Sequence, residues 1–203
     1  MLNSLDKTIV GVFQITWPML FISVVLISSV RIMYLLKHKE EFVFYKEVLL
    51  LIFMIYILCL FQVVTIGDTN IIKASNFVPF KEILRYNFGG RLFVKNIVGN
   101  VLMFIPYGFF ASLYGEIKKP LQALGIILLA SISIECTQLI IGRIFDIDDI
   151  LLNVCGGMIG FLIFISLEKI SSLAPNIFKS KLFLNVITVV ILCIMIIYFM
   201  WRL

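Results

Sequence analysis

The chain has 203 residues, a formal net charge of +5 and only 14% charged residues, against about 25% in an ordinary soluble domain. A hydrophobic content of 62% and a mean hydropathy of +1.11 exclude a soluble globular domain. The excess of positive charge is expected near anionic lipid headgroups and does not indicate a nucleic-acid partner.

Apolar stretches follow one another along the whole chain. A membrane-spanning helix needs about 20 mostly apolar residues. Six such stretches lie near residues 10–35, 47–66, 96–114, 121–141, 149–168 and 182–201. No small-residue cleavage site follows the first, so we expect it to persist as a helix rather than be removed as a signal peptide. The sequence predicts an all-α fold, a polytopic transmembrane helical bundle in one domain over residues 1–203.

The longest connection between predicted spans is residues 67–95. Its apolar residues recur at helical spacing, at Phe80, Ile83, Leu84 and Phe88. Basic residues lie between and after them. We therefore expect a short basic amphipathic helix in the headgroup region, or a re-entrant one, that ends at Gly89-Gly90.

The distribution of basic residues favours one orientation weakly. One side of the membrane would hold Arg31, Lys37, Lys39, Lys46, Lys118, Lys119, Lys169, Lys179 and Lys181. Apart from the 67–95 segment, the other side would hold Lys7, Arg143 and Arg202. Because basic residues concentrate on the cytoplasmic side, this places both termini outside. The 67–95 segment and Arg143 would then share the outer face.

A string of polar residues and glycines interrupts the apolar sequence between residues 135 and 160. Its members are Glu135, Gln138, Arg143, Asp146, Asp149, Asn153, Gly157 and Gly160. An ionisable group in a spanning helix costs about 2.5–3.5 kcal/mol on insertion scales, so such groups persist where they meet a partner, a cavity or a ligand. Residues three or four apart share one helix face. A tight turn over residues 143–148 would therefore bring the polar faces of the fourth and fifth spans together, and the glycines would let the backbones approach.

The chemistry of this cluster suggests roles for its members. Glu135 is the deepest acid and is the candidate general acid or base, oriented by Gln138 and by Asn100 of the third span. Arg143 is the candidate anion binder. The remaining candidates are Asp149 as a further catalytic acid, and Asp146, Asn153, Arg85 and Arg91 as ligand-binding residues.

Other interpretations of the cluster stay open. The polar residues could serve only to hold helices together through hydrogen bonds, which average about 0.6 kcal/mol each. They could also line a proton or ion path. Asp146, Asp148 and Asp149 could hold a divalent cation through oxygen ligands, or they could simply be acidic residues at a helix N-terminus. A single histidine and the lack of a CxxC pair exclude a His/Cys metal site. No cofactor is predicted otherwise.

Three stretches of the sequence resemble the VanZ-like family of bacterial membrane proteins. Asn76–Phe80 is similar to its N-L-x-P-F motif, with phenylalanine in place of leucine. Asn96–Gly108 reads N-x3-N-x3-F-x-P-x-G, like the second block of the family. Glu135–Gly160 reads E-x2-Q-x4-R-x2-D-x2-D-x3-N-x3-G-x2-G, like its third and most specific block. Together these stretches cover about residues 70–165.

The resemblance implies a multi-pass protein of the bacterial cell membrane. The founding member of the family is associated with lowered susceptibility to teicoplanin-type lipoglycopeptides, but the resemblance implies no particular reaction. We therefore expect a protein that binds or processes a membrane lipid, a lipid-linked cell-wall precursor or a lipoglycopeptide at the outer leaflet. A non-enzymatic envelope accessory protein is the alternative. A small transporter is the third hypothesis, and it would need polar groups along a whole path.

Overall fold

The computed structural model describes the backbone of residues 2–65 and 75–202, and the side chains of residues 17–65, 75–177, 179–195 and 197. Every regular element in these residues is helical. The helices are α1 (Leu2–His38), α2 (Phe44–Thr65), α3 (Arg91–Phe93), α4 (Gly99–Tyr114), α5 (Pro120–Ile140), α6 (Ile147–Leu173), α7 (Asn176–Lys179) and α8 (Lys181–Arg202). A π-helical turn, Val94–Val98, joins α3 to α4.

Five helical segments in the described residues are long and apolar enough to cross a membrane. They are Trp17–His38, Phe44–Thr65, Arg91–Tyr114, Pro120–Ile140 and Ile147–Leu173. In α8, the apolar stretch whose side chains are described without a break is Lys181–Met195, which is shorter than a membrane span. The count of six spans therefore stays a prediction. The all-α fold class is confirmed. α1 begins before and ends after the predicted span of residues 10–35, and it runs through Pro18, which a membrane helix tolerates.

The chain forms two compact units, Met1–Tyr56 with Lys169–Leu203, and Ile57–Glu168. The description as a single domain stays a prediction. In the first unit, the Arg31 guanidinium donates to both carboxylate oxygens of Glu47, at 2.9 and 3.1 Å, and so ties α1 to α2. The second unit contains every polar residue of the predicted cluster.

In the second unit, α6 packs against α4 with almost no side chain between them. A Cβ atom placed on Gly160 would lie 2.0 Å from the carbonyl oxygen of Ile105, and one on Gly156 would lie 2.0 Å from that of Val101. Both distances are far below van der Waals contact. The glycines thus allow a close backbone approach, but the helix approached is the third span, α4, and not the fourth span as predicted.

The side of α6 that faces α5 is packed less tightly. A Cβ on Gly157 would lie 2.5 Å from the Ile127 side chain, which is flexible, rather than against backbone. The apolar core of the unit lies beside this contact. Its buried members are Phe104, Ile117, Ala123, Ile127 and Phe161. α4, α5 and α6 therefore form a tightly packed three-helix group on which the polar residues are placed.

Residues 75–90, which we call the strap, form turns instead of the predicted amphipathic helix. Helical structure is limited to one 3₁₀ turn, Ile83–Arg85. This turn ends at Tyr86, whose backbone is extended with φ of −85° and ψ of 130°. Phe80, before the turn, has a left-handed backbone with φ of 65°, a region unfavourable for bulky residues. Residues 67–74 of the predicted segment, including Lys73, lie outside the described residues.

The strap lies at the same end of the helices as the turn between α5 and α6. The backbone N–H of Asn76 donates to the Phe145 carbonyl at 2.8 Å, and the N–H of Ile147 donates to the Asn76 carbonyl at 3.0 Å. These bonds form a parallel bridge between Asn76 and Asp146. The bridge places the strap beside the turn that carries Arg143, as predicted, while the membrane face on which they lie stays a prediction.

Cysteines introduced at Asn87 and Ile141 are expected to react from the same side of the membrane. Both residues are exposed, and the bridge between Asn76 and Asp146 fixes the strap beside the turn. A membrane-impermeant thiol reagent, applied to intact cells and to inverted vesicles, makes the comparison in a background from which the four native cysteines have been removed. Labelling of the two positions from opposite sides would contradict the observed bridge.

Candidate functional site

Glu135 is the most deeply buried acid of the candidate site. Its side chain lies on the inner face of α5, and the residue is 1% exposed. One carboxylate oxygen accepts a hydrogen bond from the backbone N–H of Asp146 at 3.0 Å. The chain can return so sharply because Gly142 has a φ of 82°, which glycine adopts without steric cost. The turn therefore delivers a backbone donor directly onto the acid of the preceding helix.

Asp149 is the second candidate acid, and it joins α6 to α4. Its Oδ1 accepts a hydrogen bond from the side-chain amide of Asn100 at 2.5 Å. The sequence predicted that Asn100 and Gln138 orient Glu135; in the structure the Asn100 amide donates to Asp149, and its role towards Glu135 stays a prediction. Gln138 is buried, and its backbone carbonyl accepts the backbone N–H of Arg143 at 2.8 Å. Gln138 thus helps to shape the turn.

Arg143 lies half-buried at the edge of the cluster. Its guanidinium donates a hydrogen bond to the carbonyl oxygen of Val64, in the last turn of α2. Carbonyl groups in that turn lack partners within their own helix, so a cation there satisfies and stabilises the helix end. Arg143 also interacts electrostatically with Glu135 and Asp149. Within the described part of the chain it forms no ion pair closer than 4.0 Å.

Asn153 and Ser131 lie one to two turns deeper in the bundle. The Asn153 amide nitrogen donates to the Ser131 hydroxyl at 3.1 Å, and both residues are buried. The Asn153 amide oxygen has no hydrogen-bond partner among the described residues. An unsatisfied buried acceptor costs about 1–3 kcal/mol. The polar face of α6 therefore retains one acceptor that a donor group could use.

Asp146 links the strap to Glu135. Its carboxylate accepts from the Asn76 amide at 2.8 Å and from the backbone N–H of Asp148 at 3.0 Å, the second bond being typical of a helix N-cap. Burial raises the pKa of Asp146 above its ordinary value, although the Asn76 hydrogen bond opposes this shift. Because the N–H of the same residue binds Glu135, the strap, the start of α6 and the buried acid form one hydrogen-bonded chain.

Asp148 holds the strap in place. Its buried carboxylate accepts three backbone N–H bonds, from Phe80 at 2.5 Å, Glu82 at 2.7 Å and Ile83 at 3.1 Å. From the sequence, Asp148 was considered only as a cation ligand or as a helix-terminal charge. Asp148 lies within the third motif block, but its position in the sequence does not reveal this contact with a segment 65 to 68 residues away.

The three aspartates do not converge as a cation site would require. Both oxygens of Asp148 are committed to the strap, Asp146 is bonded by Asn76, and Asp149 is bonded by Asn100. In the parts of the chain that the structure describes, no group of three or more His, Cys, Asp or Glu residues is arranged to hold a metal ion. The geometry assigns these carboxylates to hydrogen bonding with the protein.

Two predicted anion binders lie outside the cluster. Arg85 is exposed on the strap and pairs with Glu82 at 3.2 Å. Arg91 is exposed at the start of α3. Neither side chain joins Glu135, so Arg143 is the basic residue that the fold brings to the buried acids.

Apolar spanning helices around a buried polar cluster define an integral membrane protein of the helical-bundle class. The family model VanZ/LLP1 matches residues 44–171, and the chain belongs to this family. The match includes all three motif stretches and extends beyond residues 70–165 to include α2 and nearly all of α6. No curated protein and no solved structure matched the chain.

Proposed function

We propose that this protein binds or processes a cell-envelope lipid, a lipid-linked cell-wall precursor or a lipoglycopeptide in the bacterial cell membrane. The observation that carries the proposal is the setting of Glu135. A carboxylate that is 1% exposed within a spanning helix is bonded by a backbone N–H, and no ion pair is formed with it in the described residues. Hydrogen bonding between helices does not by itself require an ionisable group, which is costly to place in a membrane.

The side chains around Glu135 suit a ligand rich in hydroxyl, amide and anionic groups. The carboxylates of Glu135 and Asp149 accept hydrogen bonds from hydroxyl or amide donors. The Asn153 oxygen is a further buried acceptor without a partner in the described residues. Arg143 supplies donors for a phosphate or carboxylate. Sugar-bearing lipids and glycopeptides carry all of these groups, and Glu135 would exchange a proton with them as a general acid or base.

A non-enzymatic accessory protein is the second candidate. Both acids already accept hydrogen bonds from the protein itself, which favours this candidate. Asp149 accepts from Asn100, and Glu135 accepts from the backbone N–H of Asp146. In that case the same residues would recognise a ligand without reacting with it. Loss of turnover with retained affinity in Glu135→Gln would distinguish an enzyme from a binder.

Glu135→Gln and Arg143→Lys are expected to reach the membrane at near wild-type abundance and to lose function. Glutamine keeps the shape and can still accept the N–H of Asp146, but it has no ionisable proton. If Glu135 transfers a proton, activity should fall about 100-fold or more. Lysine keeps the charge of Arg143 but loses the planar fork that binds phosphate or carboxylate. The measurement is susceptibility to a teicoplanin-type lipoglycopeptide together with protein abundance.

Glu168→Gln is the matched control for this test. Glu168 lies near the other end of α6 and pairs with Lys118 at 2.5 Å, where the lysine is exposed and the glutamate is half-buried. Exposed pairs contribute little, so this variant should keep full function. The proposal fails if both cluster variants keep the wild-type phenotype at normal abundance, because the polar cluster would then be structural.

A further inference from the structure

We propose that the outward face of the strap, together with the first turns of α3, binds an anionic phospholipid surface. The position of the strap supports this inference. It leads directly into the span that begins at Arg91, and it is bonded to the turn between Ile140 and Ile147, where two other spans end. The strap therefore lies at the level where the helices leave the apolar part of the bilayer, which is the level of lipid headgroups.

The outward face carries an unusual number of exposed large apolar side chains for a segment of turns. The most exposed are Phe88 at 92%, Leu84 at 82% and Phe77 at 66%, and Val78, Phe80 and Leu92 are each more than half exposed. A concentration of exposed apolar side chains in one short segment marks a site of interaction with a membrane or another molecule. Aromatic side chains are enriched where a membrane meets water.

The backbone of the strap is suited to contact with lipid because its polar groups are bonded inward. The buried carboxylate of Asp148 takes the N–H groups of Phe80, Glu82 and Ile83. Irregular backbone at membrane depth is tolerated where such groups are satisfied by the protein. The left-handed conformation of Phe80 accompanies this arrangement, in which the N–H points to Asp148 while the ring is 56% exposed.

The charge on this face identifies the lipid as anionic. Basic side chains alternate with the apolar ones, and all four are exposed, at Lys81, Arg85, Arg91 and Lys95. Glu82, the acid within residues 75–95, is paired with Arg85. A negative lipid surface attracts such bases, and salt screens the attraction. The inference goes beyond the proposed function because it uses none of the residues around Glu135.

A tryptophan placed at Phe88 can report the contact. The protein is reconstituted with Trp17→Phe, Trp201→Phe and Phe88→Trp in vesicles of equal parts phosphatidylglycerol and phosphatidylcholine. Two vesicle preparations are compared, one with brominated phosphatidylglycerol and the other with brominated phosphatidylcholine, so the lipid composition is the same in both. We expect Phe88→Trp to be quenched about twofold more by brominated phosphatidylglycerol, and we expect the preference to vanish at 1 M salt, where the Debye length is only about 3 Å.

Two controls show whether the preference belongs to this face. Leu129→Trp, at an exposed position in the middle of α5, should be quenched equally by the two lipids. Replacing the four bases of the face by glutamine should abolish the preference at Phe88→Trp without removing quenching. Absence of quenching at Phe88→Trp would show that another partner or water covers the strap, and equal quenching by both lipids at low salt would show that its charge selects no headgroup. Either result would overturn the inference.

Discussion

Asp148→Asn is expected to release the strap and to destabilise the second unit by about 3 kcal/mol. The wild-type carboxylate receives three backbone N–H donors and is 1% exposed. Asparagine has one acceptor oxygen and turns an NH₂ group towards the remaining donors. Each buried donor left unsatisfied costs about 1–3 kcal/mol. Amide hydrogen exchange at Phe80, Glu82 and Ile83 should then become about 100-fold faster, since 1.4 kcal/mol corresponds to a factor of ten.

Glu168→Gln again provides the control for this change. It removes a carboxylate from the same helix, but one that is only half-buried and paired with an exposed lysine. Exchange in the strap should be unchanged in that variant. If the three strap amides exchange as slowly in Asp148→Asn as in the wild-type protein, the Asp148 contact does not hold the strap.

Gly160→Ala is expected to separate α6 from α4 and to lower the stability of the protein by about 1–3 kcal/mol, the usual cost of overpacking a core. The new methyl group would lie 2.0 Å from the Ile105 carbonyl oxygen and 2.7 Å from the Phe109 nitrogen. Both atoms belong to helix backbone, so no side-chain rotation can relieve the contact. The measurement is the thermal unfolding midpoint of the purified protein in a single detergent.

Gly125→Ala is the control, because it is the same substitution at a position where the added methyl group meets no other atom. A Cβ at Gly125 would meet nothing within 4 Å, and alanine favours a helix over glycine by about 0.8–1.0 kcal/mol. The two variants should therefore shift the midpoint in opposite directions. A Gly160→Ala protein that unfolds at or above the wild-type midpoint would contradict the close packing of α6 on α4.

The positions of the helices and the faces they bury could be predicted from the sequence, because each depends on local composition and on the period of the helix. Glu135 and Gln138 were expected on one face of the fourth span, and both are buried. Gly157 and Gly160 were expected at a close approach, and both are. Such patterns show that a side chain points inward, but they do not show what it meets.

The partners could not be predicted because they are distant in the sequence and depend on backbone conformation. Asn100 bonds Asp149, 49 residues away, rather than Glu135. Asp148 binds N–H groups 65 to 68 residues away, in a segment where Phe80 has a positive φ. The predicted amphipathic helix is reduced to one 3₁₀ turn that ends at the extended backbone of Tyr86. The apolar side chains of residues 80–88 do recur at helical spacing. In the structure, however, Phe80, Leu84 and Phe88 are exposed on a segment of turns and not on a helix.

The ionisation of Glu135 is central to the proposed function, and the composition of the cell envelope tests it most directly. Lipids and muropeptides would be compared among cells carrying the wild-type protein, a deletion, Glu135→Gln and Glu168→Gln, at matched abundance of the three proteins. We predict that Glu135→Gln reproduces the profile of the deletion while Glu168→Gln reproduces that of the wild type. A Glu135→Gln profile identical to the wild type, in the presence of a clear effect of the deletion, would contradict a role for this acid in ligand binding or chemistry.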